Sequence, residues 1–319
     1  MNLKRAIVGP LLSIVFLVFF AYMISGVQWV FDDFLPNQIN GAFLGAVSYN
    51  NVVVQNNNET PSLNISSQAA ISVWTNPSRP EGYPSKVLFS ENEDRKLPIA
   101  SISKLMTALV VLENSDLSQE IKISDEATSQ SIDPELLKPG ETFFTKDLLS
   151  AMLIGSDNAA SYALSEGTEG NFGKDKFIDL MNARAKELGL FNTSFLNPSG
   201  LGLKNFSTAQ DLAKLAEYIF KNYPSILQIT TIPQFDLYAS DGKILHKIVN
   251  TDELLKNSSG LSERIIGGKT GTTRTAGGCF LLVAETLNNN GYLINVILNS
   301  SDKFEEMKKI INWADTVQK

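Results

Sequence analysis

Residues 97–112 read LPIASISKLMTALVVL. This stretch predicts a loop that enters a helix with apolar residues on nearly all sides, and such a helix is usually buried. Ser101 and Lys104 lie three positions apart, so helical spacing places their side chains in contact range. Burial favours the neutral form of a lysine, which can then accept the proton of a serine hydroxyl. The stretch therefore indicates a serine nucleophile activated by a lysine.

The Ser-x-x-Lys spacing is weak by itself, because it also occurs at 240–243, in a turn-like composition, and at 300–303, before a surface-like helix. Ser101 alone is also explained as a helix N-cap, and Lys104 as a lysine that extends from a buried helix to water. Support has to come from other parts of the chain.

A second motif, Ser156-Asp157-Asn158, falls in a break between two helical patterns. Its simplest explanation is a capping turn at the start of the next helix. The functional interpretation gives Ser156 a hydroxyl that passes protons and Asn158 an amide that holds a substrate carbonyl.

A third motif, Lys269-Thr270-Gly271, follows an apolar strand pattern. A glycine-containing bulge with a surface lysine is one explanation. The functional one has Lys269 and Thr270 bind a carboxylate. Gly271 would let a substrate backbone approach the strand, and the backbone N–H of Thr272 would stabilise an oxyanion.

Composition excludes several classes of protein. The chain has 319 residues and a net charge of −7, which argues against nucleic-acid binding. Its single cysteine and single histidine cannot form an internal disulfide or a zinc cluster, so no metal or cofactor is expected. His246 lies in an alternating, strand-like run, so we expect it to have no catalytic role.

The N-terminus predicts a membrane anchor at residues 1–32. Residues 6–30 are uncharged and long enough to span a bilayer, and Lys4 and Arg5 precede them. The positive-inside rule then places the rest of the chain outside the cytoplasm as a single-pass membrane protein. A cleaved signal, which would leave a secreted or periplasmic protein, is the alternative.

An asparagine-rich linker is predicted at 33–67, followed by a catalytic domain at 68–319. The expected fold is α/β of the α+β kind: an antiparallel sheet built from both ends of the domain, flanked by helices, with an all-helical insertion at about 115–235. The substrate cleft is expected between the sheet and the insertion. The predicted sheet strands are Ala69–Trp74, Lys86–Ser90, Arg264–Gly268, Gly278–Glu285 and Tyr292–Asn299, with a closing helix at Asp302–Val317.

From residue 68 onward the chain resembles the low-molecular-mass penicillin-binding proteins, in particular the serine D-alanyl-D-alanine carboxypeptidases. Penicillin-binding proteins and class A β-lactamases share the motif trio described above. The resemblance extends to four further blocks, namely MNARAKELGLFNTSFLNPSGL, STAQDLAKLA, NTDELL and GGKTGTTRTAGGCFLLVAE. It implies a β-lactamase/transpeptidase-like fold.

By matching position, the resemblance implies a hydrolase in which Ser101 attacks a D-alanyl-D-alanine peptide of peptidoglycan and becomes acylated. Lys104 would be the general base, and Ser156 would pass the proton to the leaving amine. Substrate-binding residues would be Asn158, Lys269, Thr270, Gly271 and Thr272, with the Ser101 amide completing the oxyanion hole. The partners implied are peptidoglycan stem peptides and, as covalent inhibitors, β-lactams.

Three alternatives stay open. A DD-endopeptidase cuts cross-links by the same chemistry, and a non-catalytic wall-binding protein could keep the fold. A β-lactamase is disfavoured, because no Glu-x-x-Leu-Asn occurs between Ser156 and Lys269. Many family members also have an arginine just after the last strand. Here that stretch reads LNSSDKFEEM, and Lys303 is the nearest cation.

Overall fold

The main sheet pairs the two ends of the catalytic domain. Its antiparallel strands are β1 (Ala69–Thr75), β2 (Lys86–Glu91), β9 (Ile265–Thr273), β10 (Gly277–Glu285) and β11 (Tyr292–Ser300), in the order β2-β1-β11-β10-β9. The central strand β11 joins the ends of the domain, with Ala70 opposite Ile297. All five predicted strands are present. The largest difference is at β9, which continues to Thr273, beyond the predicted end at Gly268.

The computed structural model describes residues 62–78, 85–131, 133, 136–170, 176–202, 205–256 and 260–318. The predicted anchor at 1–32 and most of the predicted linker lie outside these residues. Within the described ranges, no helix has both the length and the apolar character needed to cross a membrane.

The other elements form helices and short two-stranded ribbons. The helices are α1 (Lys104–Asn114), α2 (Asp125–Thr128), α3 (Thr145–Ile154), α4 (Asn158–Glu169), α5 (Phe177–Glu187), α6 (Ala209–Asn222), α7 (Pro224–Thr230) and α8 (Lys303–Val317). The ribbons pair β3 (Leu97–Pro98) with β6 (Phe206–Ser207), β4 (Glu120–Lys122) with β5 (Thr142–Phe144), and β7 (Gln234–Tyr238) with β8 (Ile244–Val249).

Each face of the sheet is covered by helices. On one face, α8 packs Met307, Ile310 and Ile311 against Phe280 and Ile297, as its apolar stripe predicts. The opposite face carries α6 against β11 and α7 against β9. Because both faces are buried, the strands are apolar along most of their length, and this continuity made them readable in the sequence.

The chain between β3 and β7 is mainly helical, and it includes α1 and most of the predicted insertion at about 115–235. At its centre α1 is buried from Lys104 to Val111. The insertion is not wholly helical, because the β4–β5 ribbon lies within it. Strands of three residues are too short to show an alternating pattern, so this ribbon could not be predicted from the sequence.

The last residues of the predicted linker belong to the body. Leu63 and Ile65 pack against the cluster beneath α8. The backbone N–H of Ser66 and its hydroxyl both donate to Glu306 on α8, the hydroxyl at 2.6 Å. The packed body therefore begins before residue 68.

A partly buried ion pair fixes α8 to the edge of the sheet where β9 begins. Arg264 Nη2 donates to both carboxylate oxygens of Asp315, at 3.0 and 2.8 Å, and Arg264 Nε donates to the carbonyl of Glu285 at 2.8 Å. The Asp315 side chain is 2% exposed and that of Arg264 is 15% exposed. This pair fixes the starting point of β9.

We predict that Asp315→Ala lowers the free energy of unfolding by about 3 kcal/mol, because it leaves the Arg264 charge without its partner. Chemical denaturation followed by circular dichroism measures the effect. Glu305→Ala is the matched control on the same helix, since it removes an exposed pair with Lys308 and should cost less than about 1 kcal/mol. Equal losses in the two variants would contradict the prediction.

Candidate active site

Ser101 lies in a 3₁₀ turn, Ala100–Ser103, that leads directly into α1. A 3₁₀ turn has three residues per turn, so side chains at i and i+3 eclipse each other. Lys104 Nζ accordingly lies 3.0 Å from Ser101 Oγ. Ala100 adopts a left-handed backbone conformation, with φ of +48°, immediately before the serine. Such strain in a non-glycine residue persists only where its surroundings hold it in place.

The surroundings of this turn are supplied by the loop that follows α5. The Ser103 hydroxyl donates to the Ala100 carbonyl at 2.8 Å and accepts from Asn205 Nδ2 at 2.9 Å. Gly200 passes so close that a Cβ atom there would lie 1.9 Å from the Ala100 carbonyl oxygen. Only a glycine fits this approach, and its φ of +80° also favours glycine.

Three oxygen atoms surround the amine of Lys104. Besides Ser101 Oγ, Nζ lies 2.7 Å from Asn158 Oδ1 and 2.8 Å from the backbone carbonyl of Ser199. Both of the latter can only accept hydrogen bonds. A neutral amine has two N–H bonds and one lone pair. If the two N–H bonds point at the carbonyls, the lone pair points at the Ser101 hydroxyl, as a general base requires.

The electrostatics favour this neutral form. Lys104 is fully buried, and burial lowers the pKa of its amine well below the usual value. The positive charge of Lys269 lowers this pKa further, while the carboxylate of Asp157 raises it. Desolvation is the largest of these effects, so the helix that carries Lys104 into the core also prepares it to take a proton.

The Ser156-Asp157-Asn158 motif forms the turn into α4. Asp157 is the N-cap, and its Oδ1 accepts from the N–H of Ala160 at 2.7 Å. Ser156 has a left-handed φ of +60°. Its hydroxyl has no hydrogen-bond partner in the part of the chain that the structure describes. Asn158 uses Oδ1 to accept from Lys104, which leaves its amide nitrogen as the group that can donate.

The Lys269-Thr270-Gly271 motif lies within β9, because the strand continues through it to Thr273. Lys269 is 2% exposed, and burial lowers the pKa of its amine to about 7. The carboxylate of Asp252 opposes this shift, and the charge of Lys303 adds to it. The Thr270 hydroxyl pairs with that of Thr251 at 2.7 Å.

Gly271 brings β9 against the Ser101 turn. A Cβ atom at this position would lie 2.9 Å from the Ser101 nitrogen and 3.0 Å from the Ala100 Cβ. The space left by the missing side chain is therefore occupied by the turn itself. This contact sets Ser101 beside the strand, and it accounts for the glycine whether or not a substrate also approaches there.

Lys303, on the first turn of α8, extends to the same strand. Its Nζ lies 3.1 Å from the Thr272 hydroxyl. Its stem crosses Gly278 on the adjacent strand, where a Cβ atom would lie 3.3 Å from the Lys303 Cβ. The cation that follows the last strand in the sequence is thus brought next to the motif on β9.

These contacts directly join four of the eight predicted site residues, namely Ser101, Lys104, Asn158 and Gly271. Lys269, Thr270 and Thr272 are placed by chain connectivity with Gly271 on β9. Ser156 is placed by chain connectivity, two residues before Asn158. His246, expected to have no role, lies in β8 opposite Leu237. Among the described residues, no group of three or more acidic, histidine or cysteine side chains is arranged to hold a metal ion.

The residues that support the site have no role that was predicted from the sequence. Asn197 Oδ1 accepts from the N–H groups of Ser199 and Gly200, at 3.1 and 2.7 Å, and so orients the carbonyl that binds Lys104. The Thr251 hydroxyl pairs with that of Thr270, and the charge of Asp252 raises the pKa of Lys269. The blocks FLNPSGL and NTDELL were the available signal for both groups, but a local pattern does not show which distant atoms it contacts.

Comparison with known proteins agrees with this geometry. A family model described as D-alanyl-D-alanine carboxypeptidase matches residues 55–302. The D-alanyl-D-alanine endopeptidase of Pseudomonas aeruginosa is 34% identical over 239 residues, which cover 73% of this chain and 74% of that protein. The carboxypeptidase DacF of Bacillus subtilis is 35% identical over 237 residues, which cover 72% of this chain and 58% of that protein.

Solved structures give the same result. A D-alanyl-D-alanine carboxypeptidase from Mycobacterium tuberculosis superposes with a TM-score of 0.68 at 27% identity, covering 81% of this chain and 94% of that one. Penicillin-binding protein D2 from Listeria monocytogenes, in its ampicillin-bound form, superposes with a TM-score of 0.66 at 29% identity. The match covers 80% of this chain and 99% of that one. The resemblance inferred from the motifs is confirmed, and the chain belongs to the D-alanyl-D-alanine carboxypeptidase family of serine peptidases.

Proposed function

We propose that this protein is a serine DD-carboxypeptidase that removes the terminal D-alanine from peptidoglycan stem peptides. The observation that carries the proposal is the position of Lys104. Its buried amine lies 3.0 Å from Ser101 Oγ, and its two other neighbours are carbonyl oxygens. The chemistry follows from this arrangement in two half-reactions.

In the first half-reaction Ser101 Oγ attacks the carbonyl of the penultimate D-alanine while Lys104 takes its proton. The amide N–H of Ser101 and that of Thr272 stabilise the oxyanion. The C–N bond to the terminal D-alanine then breaks, and the proton reaches the leaving amine through Ser156. In the second half-reaction water attacks the acyl-enzyme, releases the shortened peptide and restores the serine.

Substrate binding falls to residues around this centre. The amide nitrogen of Asn158 donates to a backbone carbonyl of the stem peptide. Lys269, Thr270 and Lys303 form a cationic and hydroxylic site for the terminal carboxylate, and Gly271 keeps the strand close to the nucleophile. Lys303 here takes the position that the resemblance assigns to an arginine.

A DD-endopeptidase is the second candidate, because the Pseudomonas aeruginosa relative bears that name at 34% identity. Both activities use the same nucleophile and base, and they differ in what the cleft admits beyond the scissile bond. A non-catalytic wall-binding protein would have no use for a neutral buried lysine beside a serine. A β-lactamase would need a deacylating group, and the glutamate motif of class A enzymes is absent from the sequence between Ser156 and Lys269.

We also place the protein at the outer face of the cell membrane. Residues 1–32 would be its anchor, 33–67 its linker, and 68–319 its catalytic domain, so that the site reaches the wall. Support comes from the charge and hydropathy pattern of the N-terminus. A secreted or periplasmic form follows if the N-terminal segment is cleaved.

We predict that labelled benzylpenicillin forms a covalent adduct on Ser101 that persists over many minutes. Intact-mass and peptide mass spectrometry locate the adduct, and Ser101→Ala should remove it. Ser240→Ala is the control, since Ser240 also precedes a lysine by three positions but lies in the turn between β7 and β8. No adduct, or an undiminished one in Ser101→Ala, would overturn the enzyme hypothesis, while rapid loss of the adduct would favour a β-lactamase.

Release of D-alanine from a pentapeptide, against cleavage of a cross-linked dimer, distinguishes the carboxypeptidase from the endopeptidase.

We predict that Lys104→Met slows acylation about 10²–10⁴-fold, which is the usual contribution of a general base. Lys308→Met, on the exposed side of α8, should leave the rate unchanged.

In the unaltered protein, acylation by a neutral β-lactam ester should rise with pH as Lys104 loses its proton. Because the pKa is lowered, the plateau should come well below pH 10.5, the ordinary value for lysine. A rate that keeps rising toward that value would show that Lys104 is charged near neutrality.

We predict that Lys303→Met raises KM for a peptide ending in D-Ala-D-Ala about fivefold to tenfold, with little change in kcat. The size is that of one charge-assisted hydrogen bond, reduced by partial exposure. Lys303→Arg should restore KM, and a substrate with an amidated C-terminus should not distinguish the variants. An equal loss with both substrates would assign Lys303 a purely structural role.

A further inference from the structure

The segment Asn250–Asp252, between β8 and β9, joins the two halves of the active site. Asn250 Nδ2 donates to the carbonyls of Thr230 and Ile232, at 2.7 and 2.9 Å. The Thr251 N–H donates to the carbonyl of Ile154 at 3.2 Å, just before the Ser156 turn. Its hydroxyl pairs with Thr270, the neighbour of Lys269. The segment therefore contacts the insertion and the sheet at once.

Asp252 has a carboxylate that the chemistry described so far does not use. It is 6% exposed, and its Oδ1 accepts from the N–H of Leu254 at 2.9 Å, before the 3₁₀ turn Glu253–Lys256. Capping that turn needs only an oxygen acceptor, which asparagine or serine also provides. A buried charge costs more than a neutral cap unless something opposite compensates it.

Lys269 is the cation whose charge lowers the pKa of Asp252 most, although no ion pair within 4.0 Å joins the two side chains. The Lys269 amine itself donates to the Thr270 carbonyl at 3.2 Å. Thr251 directly precedes Asp252, and Thr270 directly follows Lys269. The hydroxyls of the two threonines hydrogen-bond to each other at 2.7 Å. The side chains of Asp252 and Lys269 are both buried, and the carboxylate raises the pKa of the Lys269 amine while Lys303 and burial lower it. In return, the charges of Lys269 and Lys303 lower the pKa of Asp252, which burial raises to about 6.

We propose that Asp252 is a positioning residue that keeps Lys269 charged for the substrate carboxylate while Lys104, buried at the start of α1, stays neutral. The two lysines need opposite protonation states, although both are buried. The groups facing them are Asp252 and Lys303 around Lys269, and Asp157 and Lys269 around Lys104. The negative charge of Asp252 favours the protonated form of Lys269. The positive charge of Lys269 in turn disfavours protonation of Lys104. The inference rests on the proposed role of Lys269 in carboxylate binding.

The test compares Asp252→Asn and Asp252→Ser, two neutral residues that keep the turn cap. Asp211→Asn is the matched control, because Asp211 is a buried aspartate on α6 that binds Asn192 and Thr193. Acylation of Ser101 is measured from pH 5 to 9 with benzylpenicillin, which has a carboxylate, and with its methyl ester, which has none.

For the two Asp252 variants we expect the ratio of the acylation rate with benzylpenicillin to that with its methyl ester to fall about tenfold near pH 7. The alkaline limb of the benzylpenicillin pH profile should move roughly one pH unit lower, because Lys269 without the charge of Asp252 loses its proton at lower pH. The methyl ester has no carboxylate to bind, so its rate should stay within about threefold, and Asp211→Asn should keep both profiles. Folded Asp252 variants with an unchanged rate ratio and pH profile would show that Asp252 only caps its turn.

A second measurement does not depend on acylation. NMR titration of the lysine Cε resonances in the unaltered protein and in Asp252→Asn should show Lys269 titrating at lower pH in the variant. If benzylpenicillin fails to acylate the unaltered protein, the proposed function falls while this titration still decides the role of Asp252. An unmoved Lys269 titration would overturn the proposal whatever the acylation result.

Discussion

The neutral form of the Lys104 amine depends on the burial of this side chain more than on any single contact. An exposed lysine would be protonated near neutral pH and could not take a proton from Ser101. Placing it on α1, a helix buried from Lys104 to Val111, removes water and lowers its pKa. The same burial requires that its N–H bonds have partners, since unsatisfied polar groups in a core are costly. Asn158 and the Ser199 carbonyl meet that requirement, and they also direct the lone pair.

This requirement explains why three distant parts of the chain converge. Asn158 comes from the turn between α3 and α4, Ser199 from the loop after α5, and Lys269 from β9. Each must approach the Ser101 turn closely, and the approaches need residues without side chains. Gly200 and Gly271 pack against Ala100 at distances that leave no room for a Cβ atom. The left-handed φ of Ala100 is held between them.

The sequence was informative where the physics is local or periodic. Continuous apolar runs predicted all five sheet strands, and the apolar stripe of α8 predicted the closing helix. The three motifs predicted the central site residues. Three features could not be read in this way. Strands of three residues, as in the β4–β5 ribbon, carry no period. The end of β9 was placed too early, because Lys269 and Thr270 interrupt the apolar pattern while remaining paired with β10. The Ser199 carbonyl is invisible to sequence, since every residue has one.

Two buried lysines in one site show why residue type alone does not assign chemistry. Both lose solvation, and both therefore have lowered pKa values. Lys104 has a serine oxygen and two carbonyls around it, and it faces the positive charge of Lys269. At Lys269 the carboxylate of Asp252 opposes the lowering of the pKa by burial, and we propose that this difference keeps Lys269 charged while Lys104 is neutral. A histidine base would avoid this problem, because its ordinary pKa is already near neutrality. A site built on two lysines must instead separate their protonation states through their surroundings. In the arrangement proposed above, the charge of Asp252 acts on Lys269, while two carbonyl oxygens and the Ser101 hydroxyl surround Lys104.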